Sequence, residues 1–305
     1  MYLNFGDLGQ NAKTYVEQFA SKQAAGQQNL DSIEDMKRFV EEYPEFRRLA
    51  GNVTKHVTLV TELSRRVDTD RLLDVSELEQ SLACNDQHSQ DVKTLQRLIQ
   101  DPSVPAANKL RLVAIYALRY AHHASNSTPA LLDLLAVAGG LSRSRIGLVP
   151  KLLAYAASLH PASAVPDLFL QPAQNIFSEA RSRFHRGLRG VENVYTQHTP
   201  RLAATLQDLI KARLSATAYP FVDGAGTRDK PQDVVVVLVG GATYEEAKCV
   251  AELNAQTPGV RVVLAATAVW NSDSFLAHVD EAVEAWPDPR PDTAAGRLRR
   301  EVGRA

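Results

Sequence analysis

Residues 32–67 read SIEDMKRFVEEYPEFRRLAGNVTKHVTLVTELSRRV. Ser32 followed by Asp35 resembles a capping box that opens a helix over IEDMKRFVEEY. Pro44 falls inside the pattern, where it lacks a donor and crowds the preceding turn, so a kink or a break is expected there. Beyond it Phe46, Leu49, Val53, Val57, Val60, Leu63 and Val67 recur at helical spacing, while Arg47, Arg48, Asn52, Lys55, Glu62, Arg65 and Arg66 lie off that stripe. The second helix is therefore long and amphipathic. Such a stripe is ordinarily core, and its other use is as a groove for a partner helix.

Outward from this stretch, the pattern from Asp7 to about Ser215 is almost wholly helical. Further helices are expected over Val75–Ala83, Asp91–Gln100, Ala106–Ser125, Pro129–Ala138, Arg143–Ser158, Pro172–Arg186 and Arg201–Ser215. After Thr217, AYPFVDGAGTRDKPQ gathers proline, glycine and charge and reads as a linker or surface loop. A different layer follows. Asp233–Val239 is a β-branched run too uniformly apolar for a strand with one covered face. Gly240–Gly241 punctuates it before a helix capped by Thr243 with Glu246 in the reciprocal position. A second strand, Val260–Ala265, and a closing helix, Ser272–Ala285, complete a βαβα unit. Two parallel strands do not make a stable sheet alone, so either further strands come from elsewhere or something is missing from this chain, in which case the strands are expected to expose apolar faces and an open edge. The tail from Pro287 is expected to be disordered.

The chain has 305 residues, 45% hydrophobic and 23% charged, with a formal charge of -1. That composition suits folded domains and offers no global field to draw nucleic acid or an anionic membrane. Cys84 and Cys249 have no metal-type spacing, which fits a reducing compartment. The N-terminus MYLNFGDLGQ lacks a basic region followed by an apolar run, and no segment has the unbroken apolar length of a membrane span. A cytosolic protein, held at membranes only through partners, is expected.

VVVVLVGGATYEEA could cradle a phosphate, but it lacks a third glycine, a phosphate-loop lysine and an acidic residue ending the second strand. A tight turn packing helix on sheet accounts for it as well. His122 and His123 are adjacent on an expected helix and so face different sides, which does not suit a metal. The remaining histidines show no nucleophile or acid at a recognisable spacing. The arginines after Pro44 and the series Arg181, Arg183, Arg186 and Arg189 read as solvated faces, or as patches for an acidic helix. No catalytic residue, cofactor site or metal site is expected.

NFGDLGQN, SIEDMKRFVEEYPEFRRLAGNVTKHV, TELSRR, GVENVYTQHTP, RDKPQDVVVVLVGGATYEEA and PGVRVVLAATAV together resemble the Sec/Munc (SM) family, and most closely its endosomal vacuolar-protein-sorting branch. The resemblance implies a mostly α fold with a C-terminal α/β part: the family's helical third domain followed by the second stretch of its α/β second domain. It divides the chain into a helical hairpin subdomain (1–100), a helical subdomain (101–216), the C-terminal part of the α/β domain (217–286) and the tail (287–305). The family's first domain and the first stretch of its sheet are not matched. The implied function is a SNARE-assembly chaperone that aligns a syntaxin-type SNARE and a vesicle SNARE on a helical hairpin, working as a monomer at endosome, Golgi or vacuole membranes. By resemblance, Pro44 is the hinge, Asp35 favours the bent form, and Phe46, Ala50 and Val57, with Val53 on the same stripe, meet the SNARE. Ala50 stands where family members carry larger apolar groups. The alternatives are a helical tethering adaptor and, more remotely, a nucleotide-dependent α/β enzyme.

Overall fold

The structure, a computed structural model, describes residues 5–28, 33–85, 87–159, 197–222 and 230–284, with backbone only at 22–28, 33–47 and 49. The chain forms two compact units, one ending at Leu73 and the other starting at Asp74.

The first unit is a helical hairpin of α1 (Phe5–Gln28) and α2 (Ile33–Thr69). Its seam follows from spacing: Leu8, Ala12, Tyr15 and Phe19 of α1 are half-buried at intervals of three and four, as are Val60 and Val67 of α2 around the buried Val53. Tyr15 and His56 meet edge to face, with ring centres 5.7 Å apart.

The second unit opens with α3 (Leu72–Cys84), α4 (His88–Gln100), α5 (Ala106–Arg119), α6 (Thr128–Ala138), α7 (Arg143–Ile146) and α8 (Leu148–Leu159). They share one core in which Leu82, Leu95, Leu98, Leu110, Leu112 and Leu131 are fully buried. Two expected helices end early, for local reasons. α5 stops at Arg119 instead of running to Ser125, because the next turns form side-chain bonds that compete with the helix. The Ser125 N–H donates to His123 Nδ1, Asn126 Nδ2 to the Ala121 carbonyl, and the Thr128 N–H to Asn126 Oδ1. His122 and His123 thus lie beyond the helix end. The expected Arg143–Ser158 helix is split at Gly147, since Pro150 cannot donate back and suits the first turn of a new helix. The expected helix Pro172–Arg186, the neighbouring arginine series and the tail from Pro287 lie outside the described residues.

The last part contains α9 (Arg201–Ile210), β1 (Asp233–Leu238), β2 (Ala242–Thr243), α10 (Tyr244–Gln256), β3 (Arg261–Ala266), β4 (Val269–Trp270) and α11 (Ser272–Glu284). β1 and β3 pair in parallel with Val235 opposite Val263, and β2 pairs with β4 beside them. One face of β1–β3 packs on α9 and α10 through Val234, Val262, Leu206 and Val250. The other face is open: Val235 and Val237 are 68% and 63% exposed. Among the described residues the strands thus have one covered and one open apolar face, while α11 packs Phe275, Leu276 and Val279 into the helical core.

Candidate functional site

α2 runs without interruption for 37 residues, roughly 55 Å, and Pro44 lies inside it. The expected break is absent, and the described state is the continuous helix. Asp35 and Phe46 share this helix, but their side chains, with that of Pro44, lie outside the described set. Ala50 is half-buried, Val53 is 8% exposed and Val57 is 43% exposed. Val53 therefore belongs to the hairpin seam, while Val57 stands open to solvent.

The expected stripe divides in three dimensions. α1 takes Val53, Val60 and Val67, leaving Val57 on one shoulder of the seam and Leu63 on the other. Beside Leu63 stands Leu59, 60% exposed, which sequence reading left off the stripe. Its one signal was an apolar residue at four-residue spacing from Leu63. On the Val57 shoulder Thr54, Thr58 and Thr61 donate to the carbonyls of Ala50, Thr54 and Val57, at 3.0, 2.9 and 2.8 Å. Their hydroxyls are thus turned back onto the helix, leaving a surface of methyl groups around Val57. On the outer side Glu62 receives Arg65 through two bonds of 2.7 Å and Arg66 through one of 2.9 Å. The Arg65 and Arg66 guanidiniums hold the Glu62 carboxyl down at about 2, and Arg65 is pushed up in return.

The corner between β1 and α10 has the strand–glycine–helix order of a phosphate cradle. It is filled. Trp270 Nε1 donates to the Gly240 carbonyl at 2.6 Å, and a Cβ at Gly241 would lie 2.0 Å from that same nitrogen. Thr243 and Glu246 form a complete capping box, in which the Thr243 N–H donates to the Glu246 carboxylate and the Glu246 N–H to Thr243 Oγ1. On the Gly241 side of this corner, the place the nucleotide alternative would need is thus taken by Trp270. Burial, with Glu252, Glu246 and Glu245 adding to it, pushes the Cys249 thiol up to about 11, far from a reactive thiolate.

In the helical core Asp91, 2% exposed, accepts from Ser81 Oγ at 2.7 Å and Tyr120 OH at 2.9 Å. His88 lies 2.9 Å from Tyr116 OH and stacks on His123. This polar cluster ties α3, α4 and α5 together, and its groups bond one another. Among the described residues no group of histidines, cysteines and carboxylates could hold a metal, and no helix is long and apolar enough to cross a membrane.

The Sec1 family matches residues 1–278. The chain belongs to the Sec1 family. It is 47% identical over 279 residues to vacuolar protein sorting-associated protein 45 of Mus musculus, covering 92% of this chain and 48% of that protein. The counterpart from Schizosaccharomyces pombe is 46% identical over 277 residues, with 90% and 48% covered. A solved structure of the SM protein Vps45 in complex with the Qa SNARE Tlg2 superposes with a TM-score of 0.79 at 57% identity, covering 93% of this chain and 48% of that one. The chain thus spans about half the length of the curated relatives it matches. The mostly helical architecture with a small sheet part is that of its Sec1-family neighbours.

Proposed function

We propose that this Sec1-family chain is a SNARE-binding regulator of vesicle docking and fusion in endosomal, Golgi and vacuolar trafficking, with no catalytic turnover. Its α1–α2 hairpin is the platform on which a vesicle SNARE helix lies beside a syntaxin-type SNARE. In this reading residues 1–100 and 101–216 are the hairpin-bearing and remaining parts of the family's helical domain, and 217–286 belong to its α/β domain. The protein is cytoplasmic, monomeric, and held at membranes by its partners.

The supporting observation is α2 itself, continuous through Pro44, with Val57 exposed among threonine methyls and the small Ala50 alongside. An unbroken apolar shoulder on a long helix suits another helix, which recognises residues at intervals of three, four and seven. Likeness to the relatives named for vacuolar protein sorting, and to a Vps45 bound to a Qa SNARE, supports the choice of partner class.

Titration of the vesicle SNARE in the presence of the syntaxin-type SNARE tests this. Val57→Asp places a charge in the contact and is expected to weaken binding by about tenfold or more, with little change in melting temperature because the residue is exposed. Unchanged affinity would overturn the site. Pro44→Ala removes the proline penalty from a helix that is already continuous. Little binding-competent population remains to be gained, and affinity should rise by no more than about twofold. A gain of about tenfold would mean instead that a bent form dominates in solution.

A further inference from the structure

Away from the hairpin, the outer face of α4 carries cations that have no counter-ion among the described residues. Two hollows lie along this face and meet at Lys93. One, of about 510 Å³, runs between α4 and α6 and is lined by Lys93, Gln96, Arg97, Gln100, Ala130 and Leu134. The other, of about 750 Å³, continues past His88 and Gln90 to His123, Ser125 and Ser127. No residue lining either hollow is a carboxylate. Lys93 and Arg97 are exposed one helical turn apart, and among the described residues neither enters an ion pair. The nearby carboxylates are occupied or set aside. Asp91 is buried and accepts from Ser81 and Tyr120, Asp101 accepts from the Ser103 N–H, and Asp133 stands on α6 outside the lining. His123 Nδ1 accepts from the Ser125 N–H, which leaves the proton of the neutral ring on Nε2 as a further donor. The opposite wall is apolar: Ala130 and Leu134 are followed one turn on by Val137, 88% exposed.

We infer that the α4–α6 groove takes an acidic peptide segment of a partner protein, with two carboxylates against Lys93 and Arg97 and an apolar side chain against Leu134 and Val137. Residues one turn apart on a helix stand about 6 Å from each other, which matches alternate residues of an extended segment. Asp133 disfavours acidic groups along α6, so charge complementarity fixes which side of the segment faces which wall. An anionic membrane fits less well. The face offers two unpaired lysine and arginine groups where lipid-binding clusters carry about four to eight, and a whole-chain charge of -1 adds no wider field. The same face of a second copy fits less well too, since it would bring like charges together.

The probe is a short labelled peptide with glutamates at alternate positions and one leucine, compared with its glutamine and lysine counterparts. Fluorescence anisotropy against the whole chain should show the glutamate peptide bound about tenfold or more tightly than the glutamine one, with an affinity that falls as salt is added. Lys93→Glu with Arg97→Glu should abolish this preference and transfer binding to the lysine peptide. Ala130→Asp puts a carboxylate in the groove, in the first turn of α6 where an acid suits the helix, and should weaken the glutamate peptide about tenfold. All three positions are exposed, so melting temperatures should stay near that of the wild type. Val57→Asp should leave the binding unchanged, which separates it from the SNARE contact proposed above. The inference is overturned if the glutamate peptide does not bind, if it binds no better than the glutamine one, or if the charge-reversed and Ala130→Asp variants bind it as wild type does. Phosphatidylserine vesicles that bind where the peptide does not, and are lost by the charge-reversed variant, would make the occupant a membrane. Self-association in sedimentation velocity that this variant loses would make it a second copy, and either result overturns the inference.

Discussion

In the bundle from α3 to α8 the apolar residues of each helix are shared among several neighbours, and Leu82, Leu95 and Leu98 lose all contact with solvent. Within the α1–α2 unit, among the described residues, each helix packs on the other. One seam covers one stripe, so Val53 is buried while Val57, Leu59 and Leu63 are not. The two regions carry similar helical periodicity, and the difference lies in how many layers surround it. Within its own unit, a helix with exposed apolar residues on both sides of the described seam gains little from them.

The sharpest way to break this comparison is to shorten one leucine in each region. Leu98→Ala should cost about 3 kcal/mol, because it leaves a cavity in a closed core, whereas Leu63→Ala should cost less than about 0.5 kcal/mol. Thermal or denaturant unfolding measures both, and similar losses would show that the hairpin seam is as closed as the bundle. A middle case is the β-layer, which has one covered face. Gly241 has φ of +109° and stands against Trp270, so Gly241→Ala should cost about 2 kcal/mol in that layer. Hydrogen exchange should then quicken in β1 and β3 and stay unchanged in α4 and α5; global loosening would mean that the layers unfold as one.

The smallest effect sharpens the comparison at the hairpin surface. The Glu62 carboxyl is depressed from 4.5 to about 2, so its pairing with Arg65 and Arg66 contributes above the unfolded value and fades as pH falls through about 2. Helicity of the hairpin by circular dichroism should therefore decline slightly across that window in the wild type. Glu62→Gln should flatten this component, and identical curves for the two proteins would show that the pairing contributes nothing to helix stability.

Much of the fold is legible in the residue order, since period alone marks long helices such as α2 and the β-branched run of β1. The capping box at Thr243 and Glu246 was readable from two side chains. What period does not reveal is which neighbour covers a face. Val57 and Leu63 belong to one stripe on a helical wheel, yet α1 divides them, and Val235 is as apolar as Val234 yet lies in the open. The end of α5 and the split at Gly147 depend on side-chain bonds and on a proline whose place in a turn cannot be known before the turn is. Trp270 was missed for a related reason, because it reaches Gly240 from thirty residues away.

That tryptophan makes the α/β corner optically addressable. The chain has two tryptophans, and changing Trp286 to Phe would leave Trp270 as the sole indole emitter. Its ring is stacked on His278, with centres 4.9 Å apart, and its N–H is tied to Gly240. A change in its emission would therefore report loosening of the sheet corner separately from circular dichroism, which is dominated by the helices. One spectrum could then follow a partner that closes over the open valine face while the other follows the hairpin.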